Sequence, residues 1–382
     1  MSNANVVDFI QLQFKTRQFI PLHEPRFVGN EKKYLNDCID STFVSSVGKY
    51  VDDFEKNLAN YTGAKYAIAC ANGTSALHMA MIVAEVNEND LVITQPISFI
   101  ATCNAISYIG AQPLFIDVDL DTMGLSPSKL KDYLLHNTQI KADGFCYHNI
   151  TNQKIAVCVP MHTFGHPCKI DEIAEVCHAH NIILIEDSAE SMGSFYKQKH
   201  TGTFGTLGVF SFNGNKTITS GGGGAIITNN EQLAHKAKHL TTQAKVPHRW
   251  EFIHDEIGYN YRMPNINAAL LCAQLENLTA FINNKRELAL NYEQFLANTD
   301  IKFIVEPIHS KANYWLCSVM LKDRISRDAF LQYTNDNGVM TRPIWTLTNK
   351  LKMFDKCLTG DLHNSILLED TIVNIPSSVR IN

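Results

Sequence analysis

No apolar run in this chain reaches membrane-spanning length. Met1 to Lys15 mixes polar and apolar residues without the charged start and apolar centre of a signal peptide, so a cytoplasmic protein with no membrane partner is expected. Neither sign of charge dominates: 33 Lys and Arg stand against 38 Asp and Glu, a net charge of −5, with no basic stripe. A protein built to coat nucleic acid is thereby excluded. Ten cysteines are present but no CxxC pair, and most sit in apolar runs such as Ile68-Ala69-Cys70-Ala71. Buried, reduced thiols are the expectation, rather than disulfides or a metal centre. The fifteen histidines show no HExxH or zinc-finger spacing, so no metal is expected from them either. No internal repeat or low-complexity linker interrupts the chain.

What is present is a large reserve of apolar side chains, 45% of 382 residues, with 19% charged. That composition buries a sizeable core, and the length points to two domains or one large domain with an appendage. From about Tyr50 to Thr228 helical and strand patterns alternate. Helices are predicted at Val51–Tyr61, Ser75–Ala84, Ile100–Ile109 and Lys169–His180. Strands are predicted at Tyr66–Cys70, Leu91–Thr94, Leu114–Val118, Ala156–Pro160, Ile182–Glu186, Val209–Phe212 and Gly224–Thr228. Apolar strands between helices mean an α/β fold with a mostly parallel central sheet covered on both faces, its ligand site at the strands' carboxyl ends. After Asn267 a long helix runs to about Ala297. Strands at Ile301–Val305 and Trp315–Lys322 and a helix at Arg327–Asn337 then suggest a smaller α+β domain. The expected division is an N-terminal segment, 1–30, packing on the small domain; a large domain, 31–270; and the small C-terminal domain, 271–382. His136–Lys154 is polar and irregular, a surface insertion.

Four places in the large domain carry chemistry. Asn72-Gly73-Thr74-Ser75 falls between a strand and a helix, where a glycine and two hydroxyls make a phosphate cradle; an ordinary helix cap explains the same residues. Asp187 closes a buried strand, where a fixed anion raises the pKa of a protonated ring nitrogen; a cap or a metal ligand is the plainer alternative. Lys216 ends Ser211-Phe212-Asn213-Gly214-Asn215-Lys216, just before Gly221–Gly224, and a lysine beside an enclosed site forms an imine with an aldehyde. A solvated loop lysine is the commoner case. Phe99 follows a strand and a proline turn, placed either to stack on a flat cofactor or to fill the core. Each signal is weak alone; their order on one α/β sheet is the set of parts a pyridoxal-phosphate site needs.

These motifs resemble those of the DegT/DnrJ/EryC1/StrS sugar aminotransferases, within the aspartate-aminotransferase fold. Pro21 to Ser378 is covered by the likeness. It is carried by Gly73-Thr74-Ser75-Ala76-Leu77, Ser98-Phe99-Ile100-Ala101-Thr102, Phe115 to Asp119, His162 to Gly165, Glu186 to Ala189, Ser211 to Lys216 and Gly258 to Met263. The resemblance implies pyridoxal 5′-phosphate as cofactor, joined to Lys216, which also shuttles protons. It implies Asp187 on the ring nitrogen, Phe99 on the ring face, and Gly73, Thr74, Ser75 and Ser211 around the phosphate. Asn260 is expected to reach that phosphate from the partner of a homodimer with shared sites, and His162 to line the sugar side, a packed strand-end histidine being the alternative. Two positions depart from the commoner pattern. Glu190 stands near the ring hydroxyl, where the family usually has glutamine, and Gly222 where glutamate is frequent.

By the same resemblance, glutamate donates an amino group to C4 of a nucleotide-linked 4-keto-6-deoxy sugar. The Asn-Gly-Asn-Lys form and the insertion look most like the branch serving legionaminic acid and related polysaccharides, which points to a UDP-N-acetyl sugar. The competing activities are a nucleotide-sugar dehydratase and a 3-aminotransferase of the same family, together with a non-enzymatic regulator. Dehydratase relatives carry histidine where this chain has Lys216, and the full set of site residues argues against a regulator.

Overall fold

Residues 2–380 are described in the computed structural model of the chain. Its centre is an eight-stranded sheet. In spatial order the strands are Tyr66–Cys70, Gly224–Thr228, Leu207–Ser211, Ile183–Asp187, Ile155–Val159, Leu91–Thr94, Gln112–Phe115 and Leu358–Thr359. Only Gly224–Thr228 runs against its neighbours; the other ladders are parallel. Ile155–Val159 is buried at every position, the mark of a strand covered on both faces. From Val157 onward its side chains alternate between two cores, as the pleat requires. Val157 and Val159 join Leu77, Met81 and Ile106 of the helices Gly73–Val83 and Ile100–Tyr108. Cys158 points the other way, to Ile170, Ile173 and Cys177 of the helix Ile170–Ala179. The cysteines are free and, apart from half-buried Cys357, buried.

The helix Asn265–Leu296 serves two cores. Leu271 and Leu278 pack under the large sheet, while Leu288 and Tyr292 pack with Phe303, Phe330 and Val373. The latter core supports a smaller antiparallel sheet in the order Lys302–Phe303, Cys317–Met320, Ile372–Ile375, Arg342–Pro343. Val6, Val7 and Ile10 of an N-terminal helix, Asn3–Gln13, belong to this same core. No helix among the described residues is long and apolar enough to cross a membrane.

Three local expectations need correction. The strand expected at Leu114–Val118 is Gln112–Phe115. The chain leaves the sheet there because buried Asp117 turns aside to accept from the Asn364 and Ser365 N–H groups, at 2.9 and 2.8 Å, at the start of the helix His363–Thr371. The insertion His136–Lys154 is not irregular: Thr138–Ile140 pairs with Cys146–His148 as a hairpin. Its strands are three residues long, too short for alternation to show. The helices Asn3–Gln13 and Glu31–Asp40 also escaped the sequence reading; the second exposes most of its surface and carries only a short apolar stripe.

Candidate active site

The parallel strands end on one edge, and there they deliver Asp187, Ser211 and the turn Asn72-Gly73 to a cavity of about 320 Å³. Asp187 is 2% exposed. Its Oδ2 accepts from the Thr102 hydroxyl at 2.7 Å and its Oδ1 from the Ala189 N–H at 3.1 Å. Burial raises its pKa above the usual carboxylate value, against the opposing pull of those two donors and of Lys216. A carboxylate desolvated and aimed in this way holds a cationic partner more strongly than one in water.

Lys216 sits on the loop after Leu207–Ser211. That loop is anchored by buried Phe212, whose ring meets Phe54 edge-on and whose N–H donates to Gly223 at 2.8 Å. The Lys216 Nζ lies 3.3 Å from Glu190 Oε1 and 3.9 Å from the centroid of Trp315. The other Glu190 oxygen accepts from the Phe164 N–H at 2.9 Å. Phe164 reaches it from a left-handed backbone, φ +56°, in the turn His162–Gly165. Gly165 follows at φ +93°, with the Asn313 side chain where a Cβ would stand, so only glycine fits. Burial pushes Glu190 up to about 7, although Lys216 opposes the shift.

Gly73 explains the cradle. A Cβ there would lie 2.8 Å from the Ser211 Cβ, so the helix Gly73–Val83 can start against that strand end only on glycine. Gly73, Thr74 and Ser211 line the cavity. Ser75 does not: its N–H and hydroxyl go to Asn72 Oδ1, at 2.8 and 3.0 Å, and Asn72 is the helix cap. The cap is thus Asn72, and Gly73, Thr74 and Ser211 are the residues that face the cavity. Phe99 is half exposed at the cavity wall, 6.4 Å from the Trp345 ring, and not a core residue.

His162 is brought elsewhere, and the expectation that it lines the sugar side is corrected. It is fully buried, and its Nδ1 accepts the Cys168 N–H at 3.1 Å, which leaves the proton on Nε2, 3.0 Å from Glu186. Glu186 also accepts from the N–H groups of Gly202, Phe204 and Gly205 at 2.6–2.7 Å. The pair ties the turn after one strand to the loop before the next. Asn260 is exposed, outside the cavity of its own chain, its Oδ1 held by Arg262 at 3.1 Å.

Thr102, Trp315 and Trp345 complete the cavity without having been singled out in the sequence. Thr102 had a signal: it lies one turn beyond Phe99, inside the Ser98–Thr102 motif. Trp315 and Trp345 come from the smaller sheet's side and had none.

A lysine amine, a buried carboxylate, a glycine-built helix start and a flanking aromatic suit a planar cofactor bearing an aldehyde, a ring nitrogen and a phosphate. Such a site, at the carboxyl edge of a mostly parallel sheet with a smaller lobe over it, defines a pyridoxal-phosphate enzyme of the aminotransferase class. Residues 25–382 match the pattern of the DegT/DnrJ/EryC1/StrS aminotransferase family, and the chain belongs to that family. It is a pyridoxal-phosphate-dependent sugar aminotransferase. Among its relatives, the GDP-perosamine synthase of Escherichia coli O157:H7 is 38% identical over 339 residues, covering 89% of this chain and 88% of that protein. That of Vibrio cholerae is 36% identical over 338 residues, covering 88% and 87%. The solved structure of Helicobacter pylori PseC, an aminotransferase involved in pseudoaminic acid biosynthesis, shares the fold. Its TM-score is 0.86 at 22% identity, covering 96% of this chain and 95% of that one.

Proposed function

We propose that the chain transfers the amino group of glutamate to C4 of a nucleotide-linked 4-keto-6-deoxy sugar, in the biosynthesis of a bacterial polysaccharide or nonulosonic acid. The observation that carries this is the amine of Lys216, 3.3 Å from Glu190 in a cavity that also holds Asp187, in a chain 38% identical to a GDP-perosamine synthase. Two such synthases at 36–38% identity support a guanosine diphosphate sugar over the UDP-N-acetyl sugar expected from the insertion. No residue of that insertion lines the cavity, so it lends the narrower branch no support.

Pyridoxal phosphate supplies the electron sink that lets an amino group pass between two carbons. Asp187 would hold a proton on its ring nitrogen, and Thr102 keeps the Asp187 carboxylate in place. Gly73, Thr74 and Ser211 would hold the phosphate, and Phe99 would lie on the ring side. Lys216 moves the proton at the reacting carbon through Nζ. Glu190, 3.3 Å from that atom, is its nearest carboxylate acceptor. A volume of about 320 Å³ suits the cofactor, and a nucleotide must lie in the open mouth.

A homodimer with shared sites accounts for Asn260, exposed near Trp250, Phe252 and Ile257, which are 69–86% exposed. A C₂ pair would cover these apolar residues and carry Asn260 to the partner's cavity.

The test is incubation with glutamate and a panel of nucleotide keto-sugars, with the product identified by mass and NMR. An amine at C4 of a GDP sugar is expected. An amine at C3, or loss of oxygen without amine, contradicts the assignment.

A further inference from the structure

Trp315 touches the lysine residue's surroundings at two points. Its ring face lies over Lys216 Nζ, 3.9 Å from the centroid. Its Nε1–H donates at 2.7 Å to the carbonyl of Asn215, the residue before the lysine. Trp315 is 5% exposed, and its own backbone is fixed at both ends. Its N–H donates to Asn313 Oδ1 at 2.7 Å, and its carbonyl accepts from Lys285 Nζ at 3.3 Å. Asn313 is in turn bound to the carbonyls of Glu190 and Met192, both at 2.9 Å. Lys285 is 1% exposed and also donates to the Ser377 carbonyl. The indole therefore has little freedom to leave the amine.

We infer that Trp315 is a positioning residue for Lys216. Its face holds the amine, whenever it is not covalently engaged, beside Glu190, and its N–H fixes the loop that carries the lysine. Around the Lys216 amine, Glu190 supplies the one carboxylate within 4 Å among the described residues. Asp187 from the strand Ile183–Asp187 and His23 from the N-terminal segment act on it at longer range. An indole is the best aromatic face for a cation and fills the gap that a carbonyl or water would otherwise take. The smaller lobe thereby supplies part of the lysine's setting, and the reacting amine stays in place while the amino group resides on the cofactor.

The inference rests on Lys216 being the reacting amine, and the test reads the contact without turnover. Cofactor-free protein is treated at near-neutral pH with an amine-directed acylating reagent, and labelling of Lys216 is followed by mass spectrometry of its peptide. Trp315→Leu removes the face that covers the amine, so Lys216 should label several-fold faster. Trp315→Phe restores a face without the N–H and should label at a rate between those of wild type and Trp315→Leu. In the loaded enzyme Trp315→Leu should lower kcat at least tenfold with the glutamate KM within twofold. Equal labelling in all three proteins overturns the inference, and so does Trp315→Phe labelling as fast as Trp315→Leu. Neither result bears on which sugar is aminated. Retained activity in Lys216→Ala would remove the underlying reading instead.

Discussion

Lys216 Nζ lies 3.3 Å from Glu190 Oε1, a fully buried carboxyl. The carboxyl's pKa rises from 4.5 to about 7 because burial outweighs the nearby lysine. Folding thus prefers its protonated form. In this window the folded state binds more protons than the unfolded one, so stability falls as pH rises from about 4.5 to about 7. At ~1.4 kcal/mol per pH unit the loss is at most ~3 kcal/mol. Glu190→Gln removes it. The melting temperature of cofactor-free Glu190→Gln, relative to wild type, should climb across that window and level off above it. A difference independent of pH contradicts the assignment.

His162 binds Glu186 and the Cys168 N–H, not the cavity. His162→Leu should cost about 2 kcal/mol of stability, the worth of a hydrogen bond to a charged group, with the sugar KM unchanged within about twofold. Denaturant unfolding and steady-state kinetics measure the two separately. A large KM rise at unchanged stability would return His162 to the substrate.

Gly73 faces the Ser211 Cβ at 2.8 Å from where its own Cβ would be. Gly73→Ala must push the helix start away from the strand end and open the phosphate cradle. Cofactor affinity, read by absorbance titration of the cofactor-free protein, should fall at least about tenfold, in line with a lost charge-assisted bond or two. Unchanged affinity would place the phosphate elsewhere.

How much of this was legible in sequence follows the range of the contacts. The parallel sheet, Asp187 at a strand end, Gly73 at a helix start and Lys216 beyond Ser211 rest on local pattern, and each appears where the pattern puts it. Trp315 reaches Asn215 across 100 residues, and Thr102 reaches Asp187 across 85. Nothing near Trp315 announces such a partner, and the motif that contains Thr102 does not say which residue it meets. His162 misled because a strand-end histidine looks alike whether it faces a cleft or caps a neighbouring loop. The hairpin in the insertion was too short to show a period.

The shared-site dimer predicts complementation. Lys216→Ala and Asn260→Ala chains should each be inactive alone. Refolded together they should recover up to about a quarter of wild-type activity, because mixed pairs hold one intact site. No recovery from pairs shown to be mixed would mean that each chain completes its own cavity.

The central claim is that glutamate's nitrogen is transferred to C4 of the sugar, with Lys216 moving the proton at the reacting carbon. Its most direct test uses glutamate labelled with a heavy nitrogen isotope and GDP-4-keto-6-deoxymannose, in parallel wild-type and Lys216→Ala reactions, with the product examined by NMR. Wild type should give labelled nitrogen bonded to C4, and Lys216→Ala no product above background. Label at another carbon, or labelled product from Lys216→Ala at a rate near wild type, would contradict it.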